Sequence, residues 1–267
     1  MSAFARVVWE FAKKDFRVLR SYRFSFVTGI LATVYGIVSF RYVSHLIGGN
    51  KYIANSTDYF RFVVVGFVVA GVLRASTVTT ATNARRDQVE GTLEILATQP
   101  ISLLALALGW GILPVLEEIS AGMITFAIAV PLGFQGVSPN WPALFVCLVV
   151  SAILFVAVGF IAAAAVLAIQ QGVAIAAVVT AVMTLVSGTA FPIAVMPGWL
   201  QFFAKLSPLY YALTATRTAI LHGSDTSQVV LHILVLVGIA AVLLPVGLFV
   251  LRMALDYARS RGSLARF

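Results

Sequence analysis

The chain is built around apolar stretches of roughly 18 or more residues that carry almost no charge, each long enough to cross the hydrocarbon core of a bilayer. A soluble domain cannot keep such runs out of water. Of the 267 residues, 61% are hydrophobic and 10% are charged, whereas a soluble domain carries about a quarter charged residues. The expected fold class is all-α, a polytopic membrane protein.

The formal net charge of +8 does not point to nucleic acid, because of where the charge sits. Arg6, Lys13, Lys14, Arg17, Arg20 and Arg23 lie before the first apolar block; Arg85 and Arg86 lie between two blocks; Arg252, Arg259, Arg261 and Arg266 follow the last. Basic clusters flanking apolar spans mark the cytoplasmic side. Within residues 1–23, Phe4, Val7, Val8, Phe11, Val18, Leu19 and Tyr22 repeat at helical spacing, opposite Arg6, Glu10, Lys13, Arg17 and Arg20. This pattern suits an amphipathic interface helix on an anionic inner leaflet. The basic region is too long, and lacks a small-residue cleavage site, for a cleaved signal peptide. Cys147 is the single cysteine, so neither a disulfide framework nor a thiol metal site is expected.

Six crossings are expected, near 24–46, 60–82, 103–133, 143–169, 172–192 and 228–251. An even number starting inside leaves both termini in the cytosol, with 252–267 as a cytoplasmic tail. Every basic cluster then faces inward, and the outer segments carry only Arg41, Lys51, Lys205 and Arg217. Gln170, Gln171 and Gly172 join crossings four and five in a tight hairpin.

Between crossings two and three stands the most polar stretch, Arg85 to Ser102. Asp87, Glu90 and Glu94 recur at helical spacing, and Leu93 and Leu96 lie on neighbouring faces. Pro100 ends the segment. A short helix over 85–99, acidic on one side and apolar on another, is shaped to dock into a groove on a second protein. The alternative is a solvated loop whose charges keep it out of lipid. A second informative stretch runs from Ser187 to Arg217. Pro192, Pro197 and Pro208 break it into pieces, while Trp199, Leu200, Phe202, Phe203, Leu209, Tyr210 and Tyr211 make it too greasy for an exposed loop. A re-entrant helical pair over 193–221, dipping into the outer leaflet, satisfies both facts.

These two stretches resemble the membrane subunits of type-2 ATP-binding-cassette exporters. Glu90-Gly91-Thr92-Leu93-Glu94-Ile95-Leu96 followed by Pro100 is similar to the coupling-helix pattern of that family. Phe191-Pro192, Pro197-Gly198-Trp199-Leu200, Pro208, Tyr210, Tyr211 and Arg217 are similar to its outer re-entrant element. The resemblance implies that Arg85, Arg86, Asp87, Glu90, Gly91, Thr92, Leu93, Glu94 and Leu96 meet an ATPase subunit. It also implies that Phe191, Pro192, Pro197, Trp199, Leu200, Pro208, Tyr210 and Tyr211 form an extracellular gate.

Glu117 and Glu118 fall inside crossing three, after Pro114, and intramembrane acids are costly enough to be functional candidates. One of them could pair with Arg74 of crossing two, or meet substrate or a cation. Arg74 either snorkels to the cytosolic face or lines an inward-facing entrance. No G-x-x-x-x-G-K-[ST] phosphate loop occurs, and His45, His222 and His232 make no metal-ligand spacing. The expected function is therefore the membrane-spanning half of an ATP-driven exporter of a drug-like or lipidic substrate. The chain is not itself an enzyme and carries no cofactor or metal; ATP and Mg belong to a cytosolic ABC ATPase subunit, present in two copies. Further expected partners are a second permease chain, identical or paralogous, and the lipids of the cytoplasmic membrane. The competing expectation is a proton-coupled secondary transporter relaying through Glu117 and Glu118.

Overall fold

A computed structural model of the chain describes residues 34–44, 56–93, 102–134, 140–169, 171–221 and 226–260. The interface helix expected over 1–23, about half of crossing one, and Glu94, Leu96 and Pro100 lie outside the described residues. The described chain is helical throughout and contains no strand. Helix α1 covers 34–44. Helix α2, Ser56–Arg74, runs through one π-helical turn, Ala75–Thr79, into α3, Thr80–Val89. Then follow α4 (Leu103–Gly133), α5 (Trp141–Ala168), α6 (Gly172–Val186), a 3-10 turn (Ile193–Val195), α7 (Gly198–Leu206), α8 (Pro208–Leu221) and α9 (Thr226–Ser260).

Helix starts follow local chemistry. The Ser102 hydroxyl accepts the Ala105 amide at 3.2 Å, and the Asn140 side chain accepts the Ala143 amide at 3.0 Å, so α4 and α5 each open on a capped turn. Among the described residues, four helices are long and apolar enough to cross a membrane: Thr57–Val89, Leu103–Gly133, Trp141–Ala168 and Ser227–Ala258. Helix α6, with 15 residues, rises only about 22 Å, short of a ~30 Å hydrocarbon core.

Three boundaries differ from the sequence expectation. Crossing two was expected to end near residue 82, but the helix persists to Val89, because nothing in Thr80–Val89 breaks it. Crossing five was expected to reach residue 192, but α6 stops at Val186; Gly188 turns the chain with φ +79°, a conformation other residues adopt only at a cost. The tail from residue 252 was expected to follow the last helix, yet α9 continues to Ser260.

Helix α5 is the centre of the bundle and packs against α2, α3, α4, α6, α8 and α9. Its glycine at 159 lets the π-turn approach so closely that a Cβ there would collide with the Ser76 carbonyl oxygen. Beside a small group of Ala81, Val166 and Ala176, two main buried clusters divide the interior. The larger joins α2, α4, α5, α8 and α9 through Phe60, Phe126, Leu148, Phe155, Leu213 and Leu236. The smaller lies where α3, α4, α5 and α9 meet, and holds Ala84, Leu93, Trp110, Phe160, Leu251 and Leu255.

Candidate functional site: a polar lever, an intramembrane ion pair and an arginine tie

The helix that ends at Val89 is the end of a rod of 33 residues, about 50 Å long, so its last turns extend past a hydrocarbon core of ~30 Å. The rod breaks at Glu90 and Gly91. The Glu90 amide still donates to the Arg86 carbonyl at 2.9 Å, but Gly91 takes φ +71°, and helical geometry resumes at Thr92 and Leu93. Nothing lies within 4 Å of where a Gly91 Cβ would stand, so glycine is required there by backbone conformation and not by crowding. The single helix expected over 85–99 is thus divided: Arg85–Val89 finish the crossing-two rod, and a new turn begins beyond the bend.

Exposure around the bend is uneven. Arg86, Val89 and Glu90 are exposed, and Arg86 Nε stands 2.8 Å from Glu90 Oε1. Arg85 donates to the Gln88 side chain at 2.8 Å. Asp87 and Leu93, expected to face a partner, are turned inward, with relative exposures of 5% and 0%. On an ideal helix Asp87 and Glu90 lie about 60° apart, enough to put one inside and the other out at the edge of a buried face. The Trp110 indole N–H donates to Asp87 Oδ2 at 2.7 Å, and the Thr92 hydroxyl donates to Asp87 Oδ1 at 3.1 Å. The Asn83 amide donates to the Trp110 carbonyl at 2.7 Å. Sequence reasoning missed Trp110 and Asn83. The indole N–H in an apolar helix start was the one available signal, since a buried indole seeks an acceptor.

Deeper in the bundle, Arg74 Nη2 lies 3.7 Å from Glu118 Oε2. The sequence suggested this pairing for one of the two acids. The other, Glu117, is exposed on a different side of α4, as the ~100° step between neighbours requires. Gly71 makes room for the pair, for a Cβ there would collide with Glu118 Oε1. Arg74 is 62% exposed at its side chain and Glu118 27%, so the arginine reaches outward from a more enclosed acid. Beside Glu118 opens a cavity of about 320 Å³ between α1, α2 and α4, lined by Ile37, Phe40, Phe67, Val68 and Thr125 among others. The Phe40 and Phe67 rings, both in its wall, pack on each other with centroids 4.7 Å apart. In the adjoining π-turn, the Thr77 and Thr180 hydroxyls stand 2.8 Å apart and join the rod to α6.

Residues expected at the outer gate flank the 3-10 turn and lie on α7 and α8. The segment is a pair of short helices hinged at Ser207, whose hydroxyl accepts from Ser187 at 2.7 Å. The two helices differ. α7 turns Trp199, Phe202, Phe203 and Leu206 outward and buries only Ala204, whereas α8 buries Leu209, Leu213, Thr216 and Ile220. Phe191, Pro192, Leu200, Pro208, Tyr210 and Tyr211 are half-buried, and Pro197 is exposed. Tyr210 and Tyr211 meet edge to face at 5.2 Å. Arg217, on α8, donates to the carbonyls of Gly188 at 2.9 Å, Phe62 at 3.3 Å and Thr189 at 3.4 Å. Its guanidinium carbon lies 3.5 Å from the centre of the Phe62 ring. One cation thereby ties α8 to the turn after α6 and to α2.

A protein-family model described as ABC-2 type transporter matches residues 6–221, from the N-terminal segment through the end of α8. No curated protein matches the chain.

Proposed function

Because the chain belongs to the ABC-2 type transporter family, we propose that it is the membrane-spanning half of an ATP-driven exporter, powered by a separate cytosolic ATPase subunit present in two copies. The observation that carries this proposal is the rod of α2 and α3, which continues past the apolar span and bends at Gly91 with Arg86, Val89 and Glu90 exposed. A rigid helix with a polar bent end is suited to receive a push outside the membrane and carry it inward. Arg85, Arg86, Glu90, Gly91, Thr92, Glu94 and Leu96 make the contact with the ATPase. Two membrane chains, identical or paralogous, enclose the path in the cytoplasmic membrane, with both termini in the cytosol.

The outer pair α7 and α8, with Phe191 to Tyr211, gates the far end, and Arg217 holds it closed against the turn after α6. The substrate is drug-like or lipidic, in keeping with the apolar cavity beside Glu118. Arg74 and Glu118 make the polar step of that path. Glu118 faces Arg74 while Glu117 is exposed on a different side of α4, a separation that weighs against a proton relay running through both acids.

The deciding experiment reconstitutes the chain with its co-purifying ATPase in proteoliposomes and measures transport with ATP. Glu90→Arg is expected to abolish ATP-driven transport while insertion of the chain is unchanged. Transport by the chain alone on a pH gradient, without any ATPase, would overturn the proposal.

A further inference from the structure

The acid nearest the bend does not face outward. Asp87 is 5% exposed and each carboxylate oxygen has a donor: Trp110 Nε1 on one, Thr92 Oγ1 on the other. The two donors come from different places. Thr92 lies beyond the Gly91 bend, and Trp110 lies two turns into α4, itself 2% exposed within the cluster of Leu93, Leu106, Phe160, Leu251 and Leu255. Asn83, one turn before Asp87, holds the Trp110 carbonyl at 2.7 Å. The rod end, the far side of the bend and the start of α4 are therefore tied through one carboxylate and one indole. Gly91 itself stands in open space, and its φ of +71° sets the bend by backbone conformation.

From this arrangement we propose that Asp87 is a positioning residue, a buried tie that transmits displacement of the Gly91 bend to α4 at Trp110, and is not one of the groups that touch the ATPase. This rests on the exporter function proposed above. Burial among apolar side chains gives the tie its stiffness, because a buried carboxylate that loses a donor has no water to replace it. Without the tie, less of a push on Glu90 and its neighbours would reach α4, since only the Asn83 bond to the Trp110 carbonyl and the apolar packing of Leu93 would carry it.

Three variants separate the tie from a charged contact. Trp110→Phe removes one N–H and keeps the ring. Asp87→Ala removes both carboxylate acceptors and leaves the Thr92 hydroxyl only the backbone carbonyl of residue 87, at 3.2 Å. Asp87→Asn removes the charge but keeps both bonds, for the amide oxygen accepts from Trp110 and the amide N–H donates to the Thr92 hydroxyl. Two readouts are taken in a Cys147→Ala background. Spin labels on Val89→Cys and Leu104→Cys, both exposed sites, report the distance between bend and α4 in lipid nanodiscs. Transport per ATP hydrolysed is measured in the reconstituted complex.

Trp110→Phe and Asp87→Ala should broaden the distance distribution and lower transport per ATP by roughly tenfold, with hydrolysis continuing, while Asp87→Asn stays within about twofold of the parent on both. The tie is overturned if neither breaking variant broadens the distances, or if the distances broaden and the ratio is unchanged. It is equally overturned if Asp87→Asn fails while Trp110→Phe behaves as the parent, since that would make the charge itself a partner contact. A parent complex that hydrolyses ATP without transport counts against the exporter function instead, and the distance distributions then still decide whether the tie exists.

Discussion

Glu118 shows what a single side chain demands of its surroundings. A carboxylate inside an apolar bundle needs a counter-charge and space, and it takes the first from Arg74 at 3.7 Å and the second from the missing side chain of Gly71. Gly71→Ala should force the carboxylate aside and lower stability by about 1–3 kcal/mol, the usual range for overpacking. In a Glu118→Ala background the same change should cost little. Thermal unfolding midpoints of the four combinations in detergent test this, and additive effects would refute it. Gly91 makes a different demand. At φ +71°, with open space around it, Gly91→Ala should cost about 1–2 kcal/mol from backbone strain alone, and Gly91→Asn less. Hydrogen exchange at the bend, compared for both variants, gives the order. The Arg74–Glu118 pair was legible in the sequence because both residues interrupt apolar runs. The inward turn of Asp87 was not, because its reason is an indole 23 positions away.

Helices succeed or fail here by what ends them. Hydropathy located the four helices long enough to cross, yet it stopped crossing two near residue 82, where helix geometry does not stop. A helix needs no apolar residues to continue, only the absence of a breaker, and the first one is Gly91. The π-turn at Ala75–Thr79 left no pattern in its own sequence, and it lies where α5 approaches closely at Gly159. At the outer end, the prolines did predict the broken pair of α7 and α8. They did not predict that α8 would be deeply buried and bound by Arg217. Removing that cation leaves three carbonyls without their shared donor and takes the charge off the Phe62 ring. Arg217→Met should therefore loosen α8 from the turn after α6, costing about 2 kcal/mol, as for other bonds to charged groups. Faster maleimide labelling of Ser187→Cys in this variant than in the parent background is the expected sign, and equal rates would show that the arginine holds nothing.

At the scale of the molecule, two helices are longer than a ~30 Å hydrocarbon core. The rod of α2 and α3 has 33 residues in its apolar-to-polar run and α9 has 35, about 50 Å each, and both keep their charged ends together. Ala84 and Leu93 share a buried cluster with Leu251 and Leu255, so Arg85 and Arg86 emerge on the same side as Arg252. That geometry is independent of hydropathy, and it agrees with the positive charge that assigned this side to the cytosol. Crossing count matters to the same conclusion. With α6 only 15 residues long, a full crossing at this point would need the Ser187 to Val195 turn to add to its length. Single cysteines decide it in a Cys147→Ala background, because Val89, Met253 and Trp199 are all exposed. A membrane-impermeant maleimide should label Val89→Cys and Met253→Cys only in inside-out vesicles, and Trp199→Cys only in right-side-out ones. Labelling of Met253→Cys from the same side as Trp199→Cys would put the charged ends outside, where no cytosolic ATPase could reach the bend.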